Sequence, residues 1–265
     1  MSQSRIAARF TEAGNRKLLV PYITAGDPDL NVTLALMRTL VKAGADVIEL
    51  GIPFSDPMAD GPTIQASSAQ ALKNGMTLEI LFQQVLSVRL QINSAIILMG
   101  YYNQVLQYGP RKFFAKCKEV GIDGLILPDL PLQEYETEYK SFFEELDLGI
   151  SFLITPQTPI SRIQQIDVLT RGFIYMVSSS SITGGAAGIN ESQLKYFERI
   201  NELRLNNPKL IGFGISDHKS FSTACKFANG AIIGSAFIKA LASGDGLNNS
   251  IVNFIKGIRT AQHIA

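Results

Sequence analysis

Three carboxylates, Glu49, Asp56 and Asp60, fall within the segment VIELGIPFSDPMADG at 47 to 61. Glu49 sits among Val47, Ile48, Leu50 and Ile52, where an ionised group pointing inward is costly unless it is paired or used. It is therefore either an acid–base residue or an outward-facing member of a helix–strand salt bridge. Asp56 and Asp60 follow among Gly51, Pro53, Pro57, Gly61 and Pro62, and prolines fix the backbone that carries them. Asp60 reads as the second member of a proton-transferring pair, as a turn-former before Gly61, or as a cap for a helix starting near Thr63. Asp56, ahead of Pro57, reads as a turn residue.

A second group of positions suits an anion. GFGIS (212 to 216) and IIGSA (232 to 236) each end an apolar run and lead into a helix. Backbone N–H groups at Gly-rich strand-to-helix turns bind phosphate, so Gly212, Gly214, Gly234 and Ser235 are candidates, with plain turns as the alternative. A third feature is SSSSITGGAAGIN (178 to 190), longer than a typical connection and rich in small residues, which suits a lid ending at a helix start near Asn190. Tyr175 just before it is either a core aromatic or a third polar group.

Groups so far apart in sequence need a scaffold that brings strand ends together. Apolar runs rich in Val, Ile, Leu and Phe occur at 18 to 24, 46 to 50, 95 to 100, 124 to 128, 150 to 155, 173 to 178, 209 to 214 and 230 to 234. Stretches of helical period lie at 30 to 43, 78 to 91, 111 to 119, 132 to 147, 160 to 170, 190 to 205, 217 to 227 and 247 to 261. KAGADVIELG, EVGIDGLILP and KFANGAIIGS echo one another as helix end, small-residue turn and strand. Eight βα units in 265 residues predict an α/β protein, a single-domain (β/α)8 TIM barrel over 1–265, with an open doubly wound sheet as second choice. An amphipathic N-terminal helix over 2 to 14 is expected to plug the lower end. In such a barrel, chemistry sits at the C-terminal ends of the strands, where Glu49 falls.

Composition limits the partners. Hydrophobic residues make up 46% and charged residues 18%, with a net charge of +1 and no basic cluster, so neither nucleic acid nor a membrane is expected as partner, and a small molecule is. No apolar run has signal-peptide or membrane-span length, which points to a cytoplasmic chain. Cys117 and Cys225 are far apart, and His218 and His263 are the only histidines, which argues against disulfides and a His-rich metal site.

The segment 47 to 61 resembles, along its whole length, the signature of the alpha subunit family of tryptophan synthase. VPYITAGDP (20 to 28), Tyr101 to Asn103, PDLP (128 to 131), ITGG (182 to 185), GFGIS and IIGSA follow in family order. The resemblance implies a carbon–carbon lyase that cleaves indole-3-glycerol phosphate to indole and glyceraldehyde 3-phosphate by retro-aldol chemistry. It implies Glu49 as main proton carrier, Asp60 as partner of the indole N–H and Tyr175 assisting. Tyr22, Ile64, Met99 or Gly100, Leu127 and Ile232 would line the indole slot, Thr183 would reach Asp60 from the lid, and Gly184 would join the phosphate site. No cofactor is implied on this chain. Pyridoxal phosphate is expected on a beta subunit partner in an assembly of two alpha and two beta chains, met through Pro53 to Asp56, Tyr102 to Gln104 and Asp129 to Pro131. Tyr22, Gln104 and Ser181 stand where many members carry Phe, Pro and Gly. Schiff-base and metal-dependent phosphate barrels are disfavoured, because Lys17 and Lys209 stand at the wrong strand ends and no strand carries His. A non-catalytic binding module is disfavoured by the retained carboxylates. A stand-alone lyase releasing free indole is the nearer rival.

Overall fold

The computed structural model describes residues 4–178, 189–242 and 246–260. Its strands are β1 (Leu18–Thr24), β2 (Val47–Gly51), β3 (Ala95–Met99), β4 (Gly124–Ile126), β5 (Gly149–Ile150), β6 (Leu153–Ile154), β7 (Ile174–Val177), β8 (Lys209–Gly212) and β9 (Gly230–Ile233). All pairings are parallel, in the order β5-β4-β3-β2-β1-β9-β8-β7-β6. The two ends of that order are consecutive in sequence, so the sheet closes on itself. The open-sheet alternative is thereby excluded.

The fifth predicted strand, 150 to 155, is broken in two. At the break the chain changes neighbours: Ser151 N–H donates to Leu125 O at 3.0 Å, and Phe152 O accepts from Tyr175 N–H at 2.9 Å. Periodicity cannot show such a switch, since both halves remain apolar. Most predicted helices appear with ends trimmed by a few residues, whereas 111 to 119 extends to Pro110–Val120 and 132 to 147 carries a π-helical stretch at Tyr135–Tyr139. Pro62–Lys73 and Ser235–Leu241 fill the turns after β2 and β9, and a short helix, Tyr102–Tyr108, follows β3. That last element is missing from the sequence expectation because it holds only seven residues before Gly109, at φ 91, and Pro110 start the next helix.

Side chains alternate across the strands. Leu19, Ile23, Ile48, Leu50, Ile96 and Leu98 face the helices, while Leu18, Val20, Tyr22, Val47, Ala95, Ile97, Met99, Tyr175 and Ile232 face the interior. The interior is floored by helix α1 (Arg5–Ala13), which bears out the expected plug. Ile6 is buried with the inner cluster, and a Cβ on Gly124 or Gly149 would lie 2.7 or 3.0 Å from its Cδ1. Those two glycines therefore leave the space Ile6 occupies. Arg5 and Arg89 both pair with Asp123, at 2.8 and 3.0 Å, anchoring the plug to the turn before β4.

Candidate active site

Glu49 lies on β2 in register with Tyr22 of β1 and Ile97 of β3, and strand alternation turns it inward, 3% exposed. The outward salt-bridge role is thereby excluded. Among the described residues its Oε2 has no hydrogen-bond partner. Burial, reinforced by the negative charge of Asp60, pushes the Glu49 carboxyl up to about 8.

Asp60 reaches the same space from the loop after β2, and the loop is held by specific bonds. Tyr101 O–H donates to Asp60 Oδ2 at 2.7 Å while accepting from Ala59 N–H at 3.0 Å. Phe54 stacks on the Tyr101 ring with centroids 5.1 Å apart. Gln104 donates to Pro53 O at 3.0 Å and accepts from Tyr101 N–H at 3.1 Å, so the glutamine ties the loop to the end of β3. Burial raises Asp60 to about 6, held from rising further by the Tyr101 bond. The cap alternative fails: helix α3 (Pro62–Lys73) begins on Gly61 with no side-chain cap. Asp56 is exposed and accepts from Ser55 Oγ at 2.5 Å, as a turn residue would.

Two tyrosines crowd the same interior. A Cβ on Gly51 would lie 2.0 Å from the Tyr22 hydroxyl, and one on Gly212 would lie 2.2 Å from that of Tyr175. Glycine at these strand ends makes room for the two phenols. Burial first, then the nearby carboxylates, holds both phenols above the usual range. The Tyr22 hydroxyl also heads a buried chain. Thr24 Oγ1 lies 3.5 Å from it, Ser67 Oγ 2.7 Å beyond, and Ser67 donates to Asp27 Oδ2 at 2.6 Å. Burial raises Asp27, with the Ser67 bond opposing.

The remaining candidates divide. Tyr22, Ile64, Met99, Tyr175 and Ile232 share the inner cluster. Leu127 does not: it packs in the outer layer, and Ile126, one residue earlier, takes the inward place. A one-residue register step moves a strand side chain to the other face, and the apolar run GLILP offers no polar position to fix it. Gly234 follows β9 and precedes Ser235, the first residue of Ser235–Leu241, with no side-chain cap. It lies against the indole-slot candidates, with Ile64 Cδ1 at 3.5 Å and Tyr22 Cβ at 3.7 Å from a Cβ position. Phe213 and Gly214 both adopt positive φ, 69° and 72°, and Ser178 Oγ donates to Phe213 O at 2.6 Å. For the non-glycine Phe213 this is a strained conformation, of the kind kept at ligand-binding turns. Gly212 acts here by admitting Tyr175. Thr183 and Gly184 lie outside the described residues. Asn190 caps Glu191–Glu202, accepting from Gln193 N–H, as expected for the end of that loop.

Sequence reasoning gave no catalytic-site role to Tyr101, Phe54 or Ile126. Tyr101 carried a signal, since it stands two residues beyond the end of β3, at the face where the reacting groups gather.

A closed parallel barrel with two buried carboxylates of unequal acidity at its C-terminal mouth defines a proton-transferring (β/α)8-barrel enzyme. The comparisons narrow this. A family model described as tryptophan synthase alpha chain matches residues 9–263. A tryptophan synthase alpha chain of Flavobacterium johnsoniae is 53% identical over 257 residues, covering 97% of this chain and all of the relative. Among solved structures, tryptophan synthase subunit alpha from Legionella pneumophila str. Paris superposes with a TM-score of 0.86 at 33% identity, covering 97% and 98% of the two chains. Tryptophan synthase from M. tuberculosis, in an aminoacrylate-bound form, gives 0.84 at 28% identity, covering 97% and 98%. The chain belongs to the tryptophan synthase alpha chain family. It is a lyase of tryptophan biosynthesis, cleaving indole-3-glycerol phosphate.

Proposed function

We propose that the whole chain works as one barrel domain in which Glu49 carries the proton of the retro-aldol step and Asp60 balances the charge that step creates. The observation that carries this is two buried carboxyls in one interior, Glu49 with Oε2 unbonded among the described residues and Asp60 held by Tyr101; burial pushes them up to about 8 and about 6. At pH 7 Glu49 holds a proton to give and Asp60 is an anion. Glu49 protonates C3 of the indole, drawing the ring nitrogen's electron pair into an iminium. The Asp60 carboxylate faces the ring N–H as positive charge develops. The side-chain hydroxyl then loses its proton to the Glu49 carboxylate, its C–O becomes the aldehyde C=O, and the C3–carbon bond breaks with its electrons restoring the indole. One proton has moved from hydroxyl to C3, and Glu49 is protonated again.

Tyr22, Ile64, Met99, Ile126 and Ile232 supply apolar walls for the ring, and Tyr175 assists near the carboxylates. Gly214, Gly234 and Ser235 provide backbone donors for the phosphate, with Gly212 beside them, and Thr183 and Gly184, outside the described residues, belong to the substrate-binding set. The chain itself needs no cofactor for this reaction. Its partner is a beta subunit holding pyridoxal phosphate, two of each chain to the assembly, which fits the neighbour from M. tuberculosis being a tryptophan synthase. Met58, 80% exposed in the loop after β2 beside exposed Ser55 and Asp56, favours a contact there over a free-standing lyase. Among the described residues no helix is long and apolar enough to cross a membrane, in keeping with a cytoplasmic enzyme.

Indole release by the purified chain, alone and with a beta subunit, tests both parts. Release should be slow alone and rise sharply on mixing. Near-normal turnover by folded Glu49→Gln or Asp60→Asn would sink the site assignment, and full turnover without beta would sink the partnership.

A further inference from the structure

At the other end of the barrel from Glu49, a cleft of about 620 Å³ opens beside the helix His218–Ala224. Its lining comes from the turn before β1, the end of α2 (Thr33–Ala43), that helix with the residues after it, and the end of Leu247–Arg259. Four permanent cations line it: Arg16, Lys17, Lys226 and Arg259. Asp46 offsets one charge, binding Arg16 Nη1 at 2.6 Å and Arg259 Nη2 at 2.5 Å. Among the described residues neither lysine forms an ion pair with a carboxylate, so these groups together carry three more positive than negative charges.

Several donors are already ordered. Arg259 Nη1 donates to Lys17 O at 2.6 Å, Lys17 Nζ to Ala228 O at 2.9 Å, and His218 Nδ1–H to Ile258 O at 2.9 Å. An ammonium has three protons, so Lys17 keeps two for a ligand. Lys209, at the start of β8, lies near enough to Lys17 to repel it. Ala43, Phe221 and Cys225 add apolar surface to the lining. Like charges gathered from separate stretches of chain around a concave, weakly polarisable wall focus their field into it. Asp46 and the backbone carbonyls account for part of that convergence, and the charge they leave unbalanced is what an anion would neutralise.

We propose that this cleft binds a small polyvalent anion, a polycarboxylate or polyphosphate, at a site separate from the carboxylates and phosphate turns. Citrate and pyrophosphate are the probes. Each is titrated calorimetrically into the full chain at low ionic strength, where screening is weak, with and without glycerol 3-phosphate to fill the substrate's phosphate turns. The expected result is saturable one-to-one binding of at least one probe, unchanged by glycerol 3-phosphate and weakened about tenfold or more by Lys226→Glu. Binding of citrate alone assigns a polycarboxylate, and of pyrophosphate alone a polyphosphate. Lys226 is exposed, so the variant should fold and keep indole-3-glycerol phosphate cleavage within about twofold of the parent. Arg16→Gln serves as a second variant, checked by circular dichroism. Absence of saturable binding, displacement by glycerol 3-phosphate, or undiminished affinity in folded Lys226→Glu and Arg16→Gln overturns the proposal.

Discussion

A proton on Glu49 and none on Asp60 at neutral pH follow from their neighbours. Tyr101 donates to Asp60, whereas Glu49 Oε2 has no donor among the described residues, so burial acts on Glu49 without that relief. Turnover should rise with pH through about 6, as Asp60 ionises, and fall through about 8, as Glu49 loses its proton. Tyr101→Phe removes the bond that lowers Asp60, so the acidic limb should move to higher pH while the alkaline limb stays; pH–rate profiles of the two proteins decide. Stability carries the same sign. Glu49 is raised from 4.5 to about 8, so its contribution to folding is complete below about pH 4.5 and is lost as pH rises through about 8. Glu49→Gln should therefore be more stable than the parent at pH 9 by about 3 to 5 kcal/mol, and equally stable near pH 4. Urea unfolding at the two pH values measures it, and equal stability at pH 9 would contradict a buried charge. At this scale the sequence was informative about Glu49 and Asp60, because both are ionisable groups in apolar or Pro-stiffened settings. It was silent on the bond from Tyr101 to Asp60, which joins two loops, and misleading at Leu127, where a continuous apolar run conceals which residue faces in.

Elements position these groups by closure and by plugging. The strands were legible because buried parallel strands are apolar on both faces, and the helices because their periods are long. The break between β5 and β6 and the helix Tyr102–Tyr108 were not, one being a change of partner and the other too short to show a period. Helix α1 gives this scale its own prediction. Ile6 is 2% exposed between Gly124 and Gly149, and Ile6→Ala should destabilise the chain by about 2–4 kcal/mol through the cavity left behind. The active site lies at the other end of the strands, so kcat at a temperature where the variant is folded should change less than about twofold. A large fall in kcat with stability intact would mean that the plug reaches the chemistry.

Across the whole molecule, one buried carboxylate helps tie the first third to the last. Asp46 accepts from Leu19 N–H at 2.8 Å and binds both Arg16 and Arg259, and it is only 8% exposed. Asp46→Ala leaves two arginines and a buried N–H without their acceptor and should cost about 3 kcal/mol; thermal and denaturant unfolding would show it, and a loss below about 1 kcal/mol would make the tie incidental. The ring closes where Leu18 and Val20 of β1 pair with Gly230 and Ile232 of β9. Since β1 is made early and β9 near the end, at about 5–20 residues per second roughly 10–40 s of synthesis separate them. For that interval one edge of β1 has no neighbour from its own chain, an open template for other strands. The nascent chain is thus most exposed to misassembly just before its final helices emerge, and crowded or slowed translation should be felt there first.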